Sequence, residues 1–247
     1  MVGEALSRLE KVTEMNTYQD DPNMTTLDPV STLTGEALVF KLLGKLIFEY
    51  PERNWIQSLA DERVFDEIPF GAGQPAMTAG LALLQQWSRT DKETSDNLRA
   101  DYTRLFIGPG NVLASPWESV YFNDERLTFQ SQTLQVRGWY RRFGLVTVNL
   151  YKEPDDHAGL ELAFLAHLAQ LGIAAVEEGD EARLDELEDA QRQFLTSHAG
   201  RWMPAWCDLI TTYARTDFYR GVAWVTKGAL AELAAVLGMR LATEAKT

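Results

Sequence analysis

The spacing of apolar residues in the last third of the chain is the feature that most constrains the fold. Leu160, Phe164, Leu168 and Leu171 recur at intervals of four, four and three residues, which places them on one face of an α-helix. Comparable patterns continue as far as Leu237. The sequence therefore predicts consecutive helices joined by short links, which is typical of an all-α fold.

The preceding part of the chain shows the same periodicity, interrupted by helix breakers. Thr34 is predicted to cap a first helix that ends at Tyr50-Pro51, because the residue before proline disfavours helical backbone. Asp217 is predicted to cap the last helix. The run 146–151 resembles a strand but has no partner, so we interpret it as an extended connector. These patterns predict one globular bundle of about ten helices over residues 34–247.

Residues 1–33 differ in composition from the rest and are predicted to form a flexible tail or leader. They are polar and contain Asp-Pro twice, while Met24 offers a second plausible start. They lack the basic start and apolar centre of a secretory signal, and no apolar run reaches the roughly 18 residues that span a bilayer. The chain is therefore predicted to be cytoplasmic, without stable membrane insertion.

Charge and cysteine content exclude several classes of function. The net charge of −13 disfavours nucleic acid, whose phosphates would be repelled, and suits a basic partner. Between residues 177 and 189, however, eight acids outweigh a single base, and we interpret this run as a solvated helix face. The lone Cys207 excludes an intrachain disulfide and a multi-thiolate metal site, and is predicted to lie in the core.

A first candidate functional segment is the loop from Leu105 to Tyr121, which is too apolar to be merely solvated. Glycine permits unusual backbone angles and proline restricts the backbone, so the loop can hold Trp117, Glu118 and Tyr121 in fixed positions. Two interpretations stay open at this point, a peptide-binding wall and a loop that folds its aromatic rings into the core. The loop residues concerned are Leu105, Phe106, Gly108, Pro109, Gly110, Pro116 and Ser119.

A second candidate segment, Glu153-Pro154-Asp155-Asp156-His157, directly precedes the apolar helix. Pro154 is predicted in the first helical turn, where the acidic side chains would interact favourably with the positive end of the helix dipole. Simple N-terminal capping explains the acids well and His157 less well. No catalytic set is apparent, because Ser119 lacks the Gly-x-Ser-x-Gly turn of a hydrolase and the glycines lack a phosphate-loop lysine.

The two segments together resemble the paired signatures of the TorD/DmsD family of redox-enzyme maturation chaperones. The similarity runs over about residues 35–235, and the order and spacing of the motifs make it specific. It is carried by Tyr102-Thr-Arg-Leu-Phe-Ile-Gly-Pro-Gly110, Pro116-Trp-Glu-Ser-Val-Tyr121, Gln135-Val-Arg-Gly-Trp-Tyr-Arg-Arg-Phe-Gly144, Glu153-Pro-Asp-Asp-His157 and Arg201-Trp-Met-Pro-Ala-Trp206 with Phe218-Tyr219.

The resemblance implies a helical, non-enzymatic chaperone that binds the twin-arginine signal peptide of an apo-molybdoenzyme, such as a dimethyl sulfoxide or trimethylamine oxide reductase. It would assist cofactor insertion and proofreading before export, and its further partners would be the twin-arginine (Tat) translocase and cofactor-biosynthesis proteins. The family implies no bound cofactor, although weak GTP binding has been associated with it. The implied peptide-binding residues are Trp117, Glu118, Tyr121, Glu153, Asp156 and His157.

Two alternatives remain beside this interpretation. A NarJ-type assembly factor for a nitrate reductase catalytic subunit would share the helical fold and the Asp-His element, but the Pro-Trp-Glu-Ser-Val-Tyr run argues against it. A nucleotide hydrolase is a weaker alternative. The carboxylates of the two motifs are expected to pair with arginines and the aromatic rings to stack on them, provided that both motifs meet across one groove open to solvent.

Overall fold

The computed structural model describes residues 28–90, 92–108, 112–146 and 153–241. Within these ranges the chain forms nine α-helices and no strand. Short helical turns cover Val64–Asp66, Thr103–Ile107 and Glu118–Tyr121. The helices are α1 (Pro29–Phe48), α2 (Arg53–Asp61), α3 (Pro75–Ser88), α4 (Ser95–Tyr102), α5 (Ser131–Arg142), α6 (Ala158–Glu178), α7 (Glu181–Ser197), α8 (Ala199–Tyr213) and α9 (Asp217–Val236).

The start of α6, which follows the second motif, is held against α1 by a close glycine contact. A Cβ atom added to Gly159 would lie 2.6 Å from the carbonyl oxygen of Gly44, and one added to Gly44 would lie 2.8 Å from the carbonyl oxygen of Gly159. Only glycine permits two helix backbones to approach so closely. The contact fixes the position of His157 relative to α1.

The core is continuous through the bundle and rich in aromatic rings. Phe164 of α6 lies against Phe194 of α7, with ring centroids 4.8 Å apart, and Trp202 lies near Trp206 on α8. Cys207 is fully buried, which confirms its predicted place in the core. The acidic run 177–189 is largely exposed over the end of α6 and the first half of α7, as predicted for a solvated face.

Helix α6 is long and apolar enough to cross a membrane by length and composition. In its most apolar window, however, 56% of the residues are buried inside the protein. That burial is typical of the core helix of a bundle.

Several predicted helix ends were wrong, and the same capping rules explain the observed ends. The first helix begins at Pro29 rather than after Thr34, because the Asp28 carboxylate accepts the Ser31 N–H and proline fits the first turn. The last helix is capped by Thr216, not by Asp217. The predicted connector 146–151 and the tail 1–33 fall mainly outside the described residues, although 29–33 are helical.

Candidate functional site

The two motifs meet through an antiparallel backbone bridge between Trp117 and His157. The Glu118 N–H donates to the Asp156 carbonyl at 2.9 Å, and the Ala158 N–H donates to the Pro116 carbonyl at 2.7 Å. Segments some 40 residues apart in sequence are thus paired like two short strands. The part of the expectation that the two motifs meet is confirmed.

The Asp156 side chain ties this bridge to the start of α5. One of its oxygens, Oδ2, accepts the Ser119 N–H at 2.8 Å, and Oδ1 accepts the Thr133 hydroxyl at 2.6 Å. The residue is fully buried. A carboxylate with these partners positions the motif from within and offers no oxygen to a ligand at the surface.

Asp155, next to it, is also buried and contacts α5. Its Oδ2 lies 2.6 Å from Nε of Arg137, and its carbonyl accepts the Tyr140 hydroxyl at 3.0 Å. An acidic residue buried in this way needs such a partner, because an unpaired charge in the interior is costly. Both aspartates therefore link the second motif to the same helix.

Trp117 and Glu153 form the accessible end of the site. The indole Nε1–H donates to Oε1 of Glu153 at 2.6 Å, and both side chains are partly exposed. Burial raises the pKa of Glu153 above its ordinary value, the hydrogen bond from Trp117 lowers it, and the Asp156 charge raises it again. A cation placed beside Glu153 would lower its pKa and so offset the effects of burial and of the Asp156 charge.

His157 caps α6 rather than facing solvent. Its Nδ1 accepts the Gly159 N–H at 3.1 Å, and its ring lies edge-on to Phe48 and Trp117, with centroids 5.0 Å and 5.8 Å away. Burial lowers the pKa of His157 to about 3, so the ring is neutral at physiological pH. Since α6 begins at Ala158, the prediction that Pro154 occupies a first helical turn was wrong.

Glu118 points inward, toward two residues that the sequence analysis missed. Its Oε2 lies 2.8 Å from Nδ1 of His198, and Glu161 nearby accepts the Trp202 indole N–H at 3.2 Å. Burial raises the pKa of both Glu118 and Glu161, and their mutual repulsion raises that of Glu161 further. Glu161 lies four residues after His157 on the helix and was detectable by that spacing, whereas nothing local marks His198.

Tyr121 and the remaining loop residues surround these contacts. The Tyr121 hydroxyl donates to the Ser115 carbonyl at 2.7 Å, and its ring stacks on Trp202 with centroids 5.2 Å apart, while one part of the side chain stays accessible. Gly108 has a positive φ of 33° after the helical turn that ends at Ile107. Leu105, Phe106, Pro116, Ser119 and Pro154 are buried, and Pro109 and Gly110 lie outside the described residues.

Each of the two interpretations of the first loop, a peptide-binding wall and a loop folded into the core, therefore holds for some of the side chains. Trp117, Tyr121 and Glu153 reach the surface, whereas Glu118, Asp156 and His157 are buried. The six residues do not line one open groove. The three buried residues form a rigid frame beneath the three accessible ones, and contact of any of them with a peptide stays a prediction.

Comparison with known proteins identifies the family. The profile described as nitrate reductase delta subunit matches residues 72–208, more than half of the chain. The chain belongs to this family. The match agrees with the resemblance to TorD/DmsD-type maturation chaperones, which form part of the same group.

Curated relatives extend this finding over most of the chain. The Tat proofreading chaperone DmsD of Salmonella typhi is 30% identical over 201 residues, which cover 81% of this chain and 90% of the relative. The chaperone protein TorD of Shewanella pealeana is 27% identical over 214 residues, or 84% of this chain and 86% of the relative. These relatives are named as chaperones and not as enzymes, which supports the non-enzymatic prediction.

A solved structure, a putative redox enzyme maturation protein from Archaeoglobus fulgidus, is 21% identical and covers 74% of this chain and 99% of its own. The TM-score of 0.37 is low. The all-α class of this family member therefore follows from its own nine described helices.

Proposed function

We propose that this protein is a cytoplasmic chaperone that binds the twin-arginine signal peptide of an apo-molybdoenzyme of the dimethyl sulfoxide or trimethylamine oxide reductase type. It would hold that client until the cofactor is inserted and so prevent premature Tat export. The observation that carries the proposal is the Trp117–Glu153 pair, a partly exposed aromatic face hydrogen-bonded to a partly desolvated carboxylate.

This pair suits an arginine side chain. Oε1 of Glu153 is occupied by the indole N–H, and the described residues provide no partner for Oε2. A guanidinium can donate to Oε2 and stack on the indole face, using both its charge and its planar shape. Tyr121 supplies a second accessible ring on the same motif, which can cover an apolar residue of the peptide.

The frame beneath the pair favours recognition without large rearrangement. The backbone bridge, the Asp156 hydrogen bonds and the His157 cap hold the two motifs in one arrangement before a ligand arrives. Preorganisation of this kind reduces the entropy cost of binding. The peptide itself would order on binding, which limits affinity and permits release.

Calorimetry with a synthetic twin-arginine signal peptide tests the proposal. We expect saturable binding to the full chain, about tenfold weaker binding when both arginines are replaced by lysine, and a similar loss for Glu153→Gln. Glu125→Gln is the matched control, because Glu125 is an exposed acid outside the motifs. Equal affinities for both peptides in all three proteins, or no binding of either peptide, would overturn the proposal.

A second candidate function follows from the description of the matching family profile, the nitrate reductase delta subunit. A NarJ-type protein would bind the catalytic subunit of a respiratory nitrate reductase. Co-purification from the native cell followed by mass spectrometry distinguishes the two clients. The same experiment tests the predicted contacts with the Tat translocase and with cofactor-biosynthesis proteins, and equilibrium dialysis with GTP tests the predicted weak nucleotide binding.

A further inference from the structure

A cleft of about 490 Å³ opens between α5 and the junction of α7 and α8, and neither Trp117 nor Glu153 lines it. None of its lining residues is acidic, although the whole chain carries a net charge of −13. A concave surface that carries a positive charge and no carboxylate attracts anions locally. The lining residues are Gln135, Gly138, Trp139, Arg142, Ser197 and His198.

His198 connects the cleft to the interior. It is the junction residue between α7 and α8, with φ −131° and ψ −105°, and only 3% of its side chain is exposed. Its Nδ1 contacts the Glu118 carboxylate at 2.8 Å. His198 also lines the cleft, and no described residue bonds its second ring nitrogen, Nε2.

Arg142 supplies a positive charge at the same cleft. Its guanidinium lies 5.3 Å from the centroid of the Trp139 ring and 5.1 Å from that of Phe143, which restricts its motion. The contact with Glu186, at 3.5 Å, joins two half-exposed side chains and is therefore weak. An incoming anion competes with Glu186 for this arginine at little cost.

The positive end of the α8 dipole adds to the positive potential in the cleft. The helix starts at Ala199, directly after the two cleft residues Ser197 and His198, and it has no acidic residue in its first turn and no side-chain cap. The N-terminus of a helix carries a partial positive charge and favours anions.

Gly138 is not explained by packing within the protein. It lies in the middle of α5, is exposed, and has no atom within 4 Å of the position that a Cβ would take. Glycine inside a helix destabilises it relative to alanine. A bare backbone at the edge of a cleft is what a ligand needs in order to approach closely.

We propose that this cleft binds an oxyanion, a carboxylate or a phosphate group, held by Arg142 and by the Nε2–H of His198. An anion there accepts from Nε2–H, so Nδ1 of His198 either donates to an ionised Glu118, as in the imidazolium, or accepts from a protonated Glu118. In both arrangements the His198–Glu118 pair beneath Pro116–Tyr121 carries no net charge, so anion binding fixes the net charge of this pair. The cleft is thereby coupled to the motif surface, whatever that surface binds.

Histidine-selective NMR of the full chain tests this site, because the protein contains only three histidines. Titration with sodium phosphate or with a short acetylated glutamate peptide should shift the His198 ring resonances saturably, with sodium chloride of equal ionic strength as the blank. The ligand that binds with the higher affinity shows whether the site prefers a phosphate or a carboxylate. Arg142→Gln should weaken binding at least about fivefold, since it removes the charge-assisted donor.

Arg141→Gln is the matched control, since Arg141 is an exposed neighbour that does not line the cleft, and it should leave the affinity unchanged. Gly138→Ala should raise the thermal midpoint and weaken oxyanion binding. Absence of a His198 shift with either ligand, or equal shifts at all three histidines in every variant, overturns the proposal. Because signal-peptide binding is measured separately at Glu153, failure of either proposal is distinguishable from failure of the other.

Discussion

Replacing Asp156 by asparagine distinguishes a framework role from direct contact with a ligand. The substitution keeps the shape but puts an amide NH₂ opposite one of two donors, the Ser119 N–H or the Thr133 hydroxyl. A lost hydrogen bond to a charged group costs about 1.5–3 kcal/mol. Relief of repulsion with Glu118 and Glu161 offsets part of this cost, so we expect a net destabilisation of about 2 kcal/mol.

Urea unfolding followed by circular dichroism measures this change, and Thr133→Val is the matched partner because it removes a single hydrogen bond without changing the side-chain shape. We expect Thr133→Val to cost about 1–2 kcal/mol, and the double variant to cost less than the sum, because both changes affect the same contact. An Asp156→Asn protein as stable as wild type that loses peptide binding would refute the framework role. It would instead indicate that Asp156 contacts the ligand.

Three further predictions address the site, the interior and the packing. Burial raises the pKa of Glu153, so its carboxylate is protonated earlier than usual as the pH falls; peptide affinity should decline over that range in wild type and stay constant in Glu153→Gln, as measured by calorimetry. Burial raises the pKa of Glu36 to about 8, so the folded state retains a proton that the unfolded state loses above its ordinary pKa. Stability should therefore fall by about 2–4 kcal/mol between pH 5 and pH 8 in wild type, but not in Glu36→Gln, as measured by urea titration. Gly80→Ala should destabilise the protein by more than about 2 kcal/mol in the same assay, because the new Cβ would lie 2.6 Å from the Val225 backbone nitrogen.

Local rules predicted the helices well, because apolar spacing and breakers report directly on helix faces and ends. The end of α1 before Pro51 and the burial of Phe164 and Leu168 both follow from them. The start of α1 was predicted too late because Asp28, directly before a proline, was interpreted as part of the tail, and Asp217 was predicted as the cap of α9 instead of the adjacent Thr216.

The candidate site was less predictable, because burial depends on contacts between distant segments. The resemblance to a family with two paired motifs led to the correct expectation that the segments of Trp117 and His157 meet, but it could not indicate which carboxylates face inward. Glu118 is buried because His198, 80 residues away, lies against it. Such a partner leaves no periodic signal near Glu118, and its effect becomes visible only in the folded chain.

Photo-crosslinking tests the central claim most directly. A twin-arginine signal peptide with a benzophenone residue next to the arginine pair is irradiated in complex with the full chain, and the adducts are mapped by mass spectrometry. The account predicts adducts within Pro116–Phe122 or at Glu153, and their loss when unlabelled peptide competes. Specific adducts confined to α3 and α9, which contribute no residue to the site, would contradict it.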